Sequence, residues 1–547
     1  MRATKMNRKI SKVRFLLAPV VVFLLAASAY ATAPGITGPS FDLTAQAAYI
    51  NQPDGSMVYS WGYGCTGVPT FAPQPGGQDL ANANCPLMQI PGPTLIVTEG
   101  QTVQVTLHNH LPTAAGNTSI LFPGFNLTSS CPAAQQGLLT CEALPGGGMV
   151  TYTFVASTPG TRAYYSGTQG DLQVEMGLYG AIIVLPNSTN APTCPAHNTH
   201  AGLNAAGTAL APSGENDFRL SSTGAAYHVA GSCYDREYLF QFSEMDPKIH
   251  RAAEEIASCV TGPGITCALN MDTVATEPYH PAYYMINGRS MPDDMDPNYA
   301  LEYPHQPYNG NPHMHPGELV LLRIIGQGRW QHPFHEHGNH VRVLARDGNL
   351  IVSQSNATLL AGPLLFTTTT TPGLAMDGIF YWTAKGLNWD AYGHNPASTA
   401  LRDLIGNPSL AKLTCTPDAN GYNTGNQAAV NYYEWCQDHN KPLEVAPVGD
   451  VAGGGPATLP DPNILTNGAW YGGSPYLGPD ATVRATGPTG STPPSGTIAN
   501  PPTSEAGFAF MWHSHNEREI TTNNIFPGGM LMMMLVDSRE FVIDESN

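Results

Sequence analysis

Alternation of apolar and polar residues along the chain predicts strands. Residues 102–107 (Thr-Val-Gln-Val-Thr-Leu) and 149–154 (Met-Val-Thr-Tyr-Thr-Phe) alternate strictly, which is typical of half-buried strands. A nearly continuous apolar run at 177–184 predicts a fully buried strand, and 319–325 predicts another strand. One short helix is predicted over 248–256, directly after a proline. The pattern therefore predicts a mainly β protein.

The same pattern divides the chain into two β-domains. The first covers 32–190, and the second consists of 231–389 together with 506–547. Small and polar residues at 191–230 predict a linker between them. Residues 390–505 are dense in Gly, Pro, Asn and Thr and are too many for one loop, so they predict an insertion in the second domain.

Composition supports an all-β, loop-rich protein and excludes some partners. The 547 residues include 57 Gly and 48 Pro, and only 12% are charged. The net charge is −18, and six of the 23 basic residues lie in the first 14 positions. Removal of this leader leaves 17 basic against 41 acidic residues. Such a surface disfavours nucleic acid and anionic membranes; it is compatible with simple solubility or with attraction of cations.

The N-terminus predicts export. Residues 1–31 have a basic start, an apolar run at 15–27 and an Ala-Tyr-Ala sequence at 29–31, as in a cleaved signal peptide. An uncleaved anchor is the alternative, although the run is short for a membrane span. No other segment is a transmembrane candidate. The periplasm, the cell surface and the extracellular medium all stay open as final locations, and so does the oligomeric state.

The cysteine content agrees with an oxidising compartment. Ten cysteines follow the leader, and an even count in an exported chain predicts disulfides. They fall into neighbouring couples along the sequence, which favours five local bridges, although sequence alone does not determine the connectivity. The couples are Cys65 with Cys85, Cys131 with Cys141, Cys194 with Cys233, Cys259 with Cys267, and Cys415 with Cys436.

Two pairs of histidines carry the candidate chemistry. Residues 332–340 read His-Pro-Phe-His-Glu-His-Gly-Asn-His, and side chains two apart on a strand share a face, so His335 and His337 point the same way. His513 and His515 form a second such pair. Two neighbouring strands with these pairs bring four imidazoles together, which suits copper or zinc. The alternative is that the histidines only satisfy local hydrogen bonds.

These motifs are similar to those of a known family. Residues 332–338 resemble the His-Pro-x-His-x-His-Gly signature of the multicopper oxidases, the laccase-like cupredoxin family, and His513-x-His515 stands where that family has His-Cys-His. Residues 91–112, 177–184 and 286–289 resemble the supporting strands. The resemblance implies tandem cupredoxin-like Greek-key β-sandwiches, with a long loop-rich insertion in the second. It also implies a type 1 copper, a three-copper cluster and reduction of dioxygen to water.

The chain departs from this family at most of the copper ligands. Where the resemblance implies two first-domain histidine pairs, residues 121–124 read Leu-Phe-Pro-Gly and 163–167 read Ala-Tyr-Tyr-Ser-Gly. Ser514 replaces the type 1 cysteine and Glu519 replaces a type 1 histidine, while His332 is kept. A serine hydroxyl is a poor ligand for copper. We therefore expect no blue copper centre.

The remaining histidines predict a reduced metal site. The resemblance implies that His335 is a type 2 ligand, that His337, His513 and His515 are type 3 ligands, and that His337 and His513 serve the same copper. Fewer than four copper ions are expected. His332 with Glu519 is a further candidate, for a harder metal ion.

Three other segments are interpreted as structural rather than metal-binding. We expect His108 and His110 to be solvent-side strand residues. The methionine run at 530–534 can bind Cu(I) but favours a buried closing strand. His313 and His315 are interpreted as part of a surface loop.

Three functions stay open. The first is an exported multicopper-oxidase-like protein that binds copper at a residual histidine site without being a full four-copper oxidase. The second is a non-catalytic structural or surface-interaction module in which the histidines are a remnant. The third is an active multicopper oxidase with oxygen as electron acceptor, in which other residues supply the missing ligands. Whether the protein is an enzyme, and on which substrate, is not determined by the sequence.

Overall fold

A computed structural model describes most of both predicted β-domains. The predicted signal peptide, Cys415, Cys436 and nearly all of the predicted insertion lie outside the described residues. Those residues are 33–72, 83–194, 220–382 (without 261, 266, 270–272 and 316–317), 473–477, 498–499, 507–537 and 543.

The N-terminal half forms two five-stranded sheets. One has the strand order β4-β1-β5-β10-β9 and the other β3-β2-β6-β8-β7, with ranges as follows. The elements are β1 (Gly35–Thr37), β2 (Ser40–Asn51), β3 (Met57–Cys65), β4 (Phe71–Ala72), β5 (Leu95–Thr98), β6 (Thr102–Asn109), β7 (Thr128–Ser129), β8 (Gly148–Val155), β9 (Gly160–Tyr165), α1 (Gly170–Gln173) and β10 (Tyr179–Leu185).

The second half also forms two sheets. Its elements are β11 (Leu220–Ala225), β12 (Cys233–Met245), α2 (Pro247–Ala257), β13 (Tyr283–Ile286), β14 (His313–Met314), β15 (Leu319–Gly326), β16 (Pro333–Glu336), β17 (Val341–Arg346), β18 (Asn349–Leu350), β19 (Leu364–Leu365), β20 (Thr367–Thr369), β21 (Ala375–Tyr381), β22 (Gly473–Leu477), β23 (Ile498–Ala499), β24 (Gly507–Ser514) and β25 (Leu531–Asp537). The main path of one sheet is β11-β12-β15-β21-β17-β18, and that of the other is β14-β25-β24-β16-β20.

Alternating burial explains the first sandwich. Along β6, Val103, Val105 and Leu107 are fully buried between polar neighbours, and they pack into one apolar core with residues of the facing sheet. The helix α2 adds Ile249 and Ala253 to this core, because residues four apart lie on one helix face. The predicted mainly β architecture is confirmed, and the helix predicted at 248–256 is present as α2, whereas the four-residue α1 was not predicted.

The second sandwich has its own core, to which the methionine run contributes. Met530, Met532 and Met534 are completely buried in it, beside Phe334 and Trp512. The structural interpretation of these methionines is therefore confirmed. The interpretation of His313 and His315 as a surface loop is wrong, because His313 lies in β14, paired with β25, and both side chains are buried.

Four of the five predicted disulfides fall within the described residues, and all four are present. They join Cys65 to Cys85, Cys131 to Cys141, Cys194 to Cys233, and Cys259 to Cys267. The fifth predicted bridge, between Cys415 and Cys436, stays a prediction because both residues lie outside the described chain.

Two further predictions concern regions that are described only in part. The predicted linker, 191–230, contains the strand β11 at its C-terminal end, and 195–219 is not described. In the described part of the chain, no helix is both long and apolar enough to span a membrane. The domain boundaries stay predictions.

Candidate metal centre

The pairing of β16 with β24 brings the two histidine pairs together. The strands are antiparallel, with His335 opposite His513 and Phe334 opposite Ser514. Because side chains alternate along each strand, the histidines lie on one face and Phe334 and Ser514 lie on the other. The expectation that the two pairs meet on neighbouring strands therefore agrees with the structure.

The four imidazoles form one compact cluster. The ring centre of His335 lies 4.4 Å from that of His337 and 4.9 Å from that of His515. The rings of His337 and His513 have their centres 5.2 Å apart and their planes inclined by 26°, and they meet through their Nε2 edges. Their Nε2 atoms are separated by 3.1 Å.

Burial favours the uncharged form of His335 and His513. His335, His337 and His513 are buried, whereas His515 is exposed. Burial, and then the neighbouring imidazoles His337, His515 and His513, lower the pKa of His335 to about 3. Burial also lowers the pKa of His513. A neutral imidazole is the form that binds a metal.

Hydrogen bonds from neighbouring groups orient the rings. The Nδ1 atom of His513 lies 2.8 Å from the carbonyl oxygen of Ser514, and since a carbonyl only accepts, this nitrogen must donate. In the neutral ring the lone pair is then on Nε2, the atom that faces His337. His335 Nδ1 contacts Thr367 Oγ1 at 2.8 Å. Such contacts fix ring orientation and tautomer around a metal.

The donor set fits a copper ion with open positions rather than a closed protein cage. Two nitrogens bound to one ion at about 2.0–2.1 Å lie about 3 Å apart, as the two Nε2 atoms do. Among the described residues, no three His, Cys, Asp or Glu side chains converge on one point. A copper ion at this cluster would therefore be held by His337 and His513, with its other positions filled by water or by movement of neighbouring rings.

His332 has a different environment, behind the histidine face. It is fully buried, with Nε2 2.9 Å from Glu244 Oε2 and Nδ1 2.9 Å from Glu519 Oε2. Burial alone lowers the pKa of His332, but the two carboxylates outweigh it and raise this pKa to about 9. The imidazolium form donates from Nε2 to Glu244, and its charge also faces the Glu519 carboxylate. Metal binding by His332, predicted from the sequence, stays a prediction.

Glu519 lies between the side chains that correspond to the type 1 ligands. Its Oε2 atom accepts a hydrogen bond from Ser514 Oγ as well as facing His332. Asn516 Nδ2 donates to the other carboxylate oxygen at 2.9 Å. No free cysteine is present in the described part of the chain. This cluster supplies no thiolate for a blue copper centre.

The two first-domain segments that lack histidines lie side by side. Leu121 pairs with Tyr165 across an isolated antiparallel bridge. Both line a cavity of about 580 Å³. Gln327, Gly328, Pro372 and Gly373 form part of its wall, so the cavity lies between the two halves of the chain. Its lining contains no charged residue and none of the four clustered histidines.

The remaining histidine pair agrees with its structural interpretation. His108 lies on β6 and contacts Asp42 Oδ1 through Nε2 at 2.7 Å, and His110 is exposed. Glu244 is the functional neighbour that sequence reasoning missed. It comes from β12, which is buried along its whole length, and a glutamate inside an otherwise buried strand is the signal that marks it.

Comparisons with known proteins find one family match and several similar solved structures. Residues 84–189 match the multicopper oxidase family model. Among solved structures, the multicopper oxidase mgLAC is 13% identical, with a TM-score of 0.41, covering 92% of this chain and 87% of its own. A blue copper oxidase from Nitrosomonas europaea is 14% identical, with a TM-score of 0.40, covering 90% and 85%. The copper nitrite reductase of the same organism is 18% identical, with a TM-score of 0.37, covering 64% and 86%.

The comparison with curated proteins gives no match. The family match falls in the first sandwich, at the segment in which the histidine pairs are missing, whereas the clustered histidines lie in the second. The resemblance that the motifs indicate is thus confirmed at residues 84–189, which match the multicopper oxidase family model, and the described residues form the mainly β architecture that this resemblance implies.

Proposed function

We propose that this chain is an exported copper-binding protein that holds one ion between β16 and β24, and that it is not a four-copper oxidase. The observation that carries the proposal is the 3.1 Å separation of His337 Nε2 and His513 Nε2, the ring edges that face each other. In the absence of metal, His337 donates a hydrogen bond to His513. A copper ion at this place would be held by Nε2 of both rings, and the Nε2 proton of His337 would move to Nδ1 of the same ring.

The environment of the histidines favours the protonation state that metal binding requires. Burial keeps His335 and His513 neutral, so that no proton has to leave them at neutral pH before a metal binds. His515 is exposed, so it is the proposed ligand that an ion arriving from solvent meets first. A bound copper ion supplies Lewis acidity and one-electron exchange. The protein side chains hold and orient it.

Two features argue against full oxidase activity. Ser514 and Glu519 stand where the resemblance requires a thiolate and an imidazole, so electron entry through a blue copper is absent. The first-domain segments carry leucine, phenylalanine, tyrosine and glycine instead of four imidazoles. Copper storage, delivery or sensing at the cell exterior suits such a site better than oxygen reduction.

Export is part of the same proposal. The predicted signal peptide and four disulfides fit an oxidising compartment. The acidic surface that the sequence predicts attracts cations such as copper and disfavours nucleic acids.

Copper analysis of the full chain tests the proposal. Protein recovered after export is loaded with Cu(II), dialysed and analysed for metal per chain. We expect about one tightly bound ion in the wild type. The double variant His337→Ala with His513→Ala loses it, and the matched pair His108→Ala with His110→Ala keeps it.

The alternatives give different outcomes. A wild-type chain without stoichiometric copper, whose stability is unaffected by a chelator, contradicts the proposal and favours the structural module. Oxygen uptake with phenols, Cu(I) or Fe(II) as reductants favours an active oxidase instead.

A further inference from the structure

Three buried side chains join the histidine-bearing segments from behind. We name Ser514, Glu519 and His332 the carboxylate clamp. All three are completely buried, and Glu519 Oε2 contacts both of the others. One oxygen atom therefore lies at the point where the serine hydroxyl and the imidazole Nδ1 meet.

That point is where a metal ion would lie if Ser514 and Glu519 were ligands. A group bound there by a thiolate and two imidazoles would be surrounded by the same three positions. In this chain a carboxylate oxygen fills the space instead. That carboxylate faces the imidazole of His332, whose other nitrogen lies 2.9 Å from Glu244 Oε2. Ser514, Asn516 and His332 thus surround the Glu519 carboxylate with hydrogen-bond donors and positive charge, which a buried carboxylate requires.

The clamp lies on the opposite face of the same strands as the clustered histidines. Ser514 ends β24 and is flanked by His513 and His515, while His332 directly precedes β16, which carries His335. The backbone N–H of His515 also donates to the carbonyl of Pro333 at 2.8 Å. A link between Ser514 and His332 therefore fixes the separation and register of the two histidine pairs.

The loop after β24 is held by the same carboxylate. Asn516 donates to Glu519 Oε1 at 2.9 Å, and Asn516 N–H lies 3.2 Å from Ser514 Oγ. The Glu519 carbonyl accepts from Met530 N at 2.8 Å, which connects the loop to the start of β25. The position of His515, the exposed member of the cluster, thus depends on Glu519.

We propose that Glu519 is a positioning residue for the metal site: through Ser514 and His332 it does, as a carboxylate, the structural work that a second metal ion would otherwise do. The inference rests on the proposed function, since it explains how the clustered histidines of that site are held in position. Glu519 contacts none of the four clustered imidazoles, yet it controls how tightly, and in which geometry, these imidazoles hold copper.

Copper affinity and the spectrum of bound Cu(II) test this role together. Glu519→Gln keeps the size of the side chain but turns one acceptor oxygen into a donor that faces Ser514 and His332. We expect its copper dissociation constant to rise about 10- to 100-fold, as for other groups that orient ligands. The electron paramagnetic resonance spectrum at saturating Cu(II) should also change. The matched control is Glu302→Gln, which removes an exposed acid outside this loop and should alter neither.

The spectrum separates positioning from simple loss of folded protein. A variant that is only partly folded binds less copper, but its intact sites keep the wild-type spectrum. If Glu519→Gln does not fold, Ser514→Ala removes one contact of the clamp without changing its charge, and it should show the same change of spectrum with a smaller loss of affinity. If both variants keep the wild-type copper affinity and spectrum, the inference about Glu519 is overturned while the proposed function stands. A wild-type chain that binds no copper would overturn the proposed function as well.

Discussion

Arg323 of the second sandwich donates a 3.0 Å hydrogen bond from Nη1 to Thr161 Oγ1 of the first. The same guanidinium lies 3.0 Å from Glu237 Oε2 and 3.7 Å from Asp377 Oδ1, and these groups are buried. Thr161 in turn donates to Asp377 at 2.6 Å. This buried network joins β9 to β15 and β21, and so holds the two sandwiches to each other.

Removal of Arg323 should therefore destabilise the whole chain. Arg323→Ala leaves two buried carboxylates without their cation, and we expect a loss of about 3–5 kcal/mol in the free energy of unfolding. Urea denaturation of the metal-free protein measures it. Arg346→Ala, at an exposed position on β17, is the control and should change stability by less than about 0.5 kcal/mol. Equal effects of the two substitutions would contradict the role given to the network.

The carboxyl of Glu175 should make stability fall as pH rises. Burial raises the pKa of Glu175 to about 8, although hydrogen bonds from the Asp246 backbone and from Tyr279 act in the opposite direction. The folded state therefore favours the protonated form. The stabilisation is complete below the unfolded pKa near 4.5 and is lost as the pH rises through 8.

Replacement of Glu175 by glutamine tests this dependence. Glu175→Gln should gain on the order of 4 kcal/mol relative to the wild type between pH 5 and pH 9. Unfolding free energies at these two pH values provide the measurement. Glu302→Gln, which removes an exposed carboxyl, should leave the pH profile unchanged. A wild-type protein that becomes more stable from pH 5 to pH 9 relative to Glu175→Gln would show that the sign is wrong.

Copper should give no intense blue colour with the wild-type chain, because no thiolate is available at the clamp. The combined substitution of Ser514→Cys with Glu519→His introduces a thiolate and an imidazole beside His332, with Met530 buried nearby in the core. We expect this double variant to turn blue with Cu(II), as trigonal Cys-His₂ sites do. Visible absorption measures the effect, and Ser514→Cys alone is the control that should stay colourless. A colourless double variant that is correctly folded would show that the three positions do not surround a metal-sized space.

The disulfide between Cys194 and Cys233 should contribute more stability than the one between Cys259 and Cys267. The first closes a sequence separation of 39 residues and the second one of 8. Loop-closure entropy gives about 4 and about 2.5 kcal/mol respectively. Paired Cys→Ala variants, compared by urea denaturation, test the order. A larger loss for the shorter loop would contradict the entropic explanation.

The local pattern of apolar and polar residues was sufficient to predict much of the fold. Strict alternation at 102–107 predicted β6, and Pro247 followed by an amphipathic stretch predicted α2, which Asp246 caps by accepting from Lys248 N at 2.9 Å. Neighbouring cysteines predicted four observed bridges. The error at His313 and His315 arose because a Pro- and Asn-rich segment resembles a surface loop, whereas β14 is covered by contacts with β25 that are distant in sequence.

For the candidate site, the sequence by itself determined which imidazoles share a face, because strand geometry alternates every two residues and needs no partner to do so. It also determined which ligands of the resembling family are replaced. Only the tertiary structure decided that His337 and His513 approach within 3.1 Å and that Glu519 reaches Ser514 and His332 together. Glu244 completes the same network from β12, 88 residues before His332. Such contacts depend on strand register and on chain segments far apart in sequence, and neither is encoded in any local period of the residues.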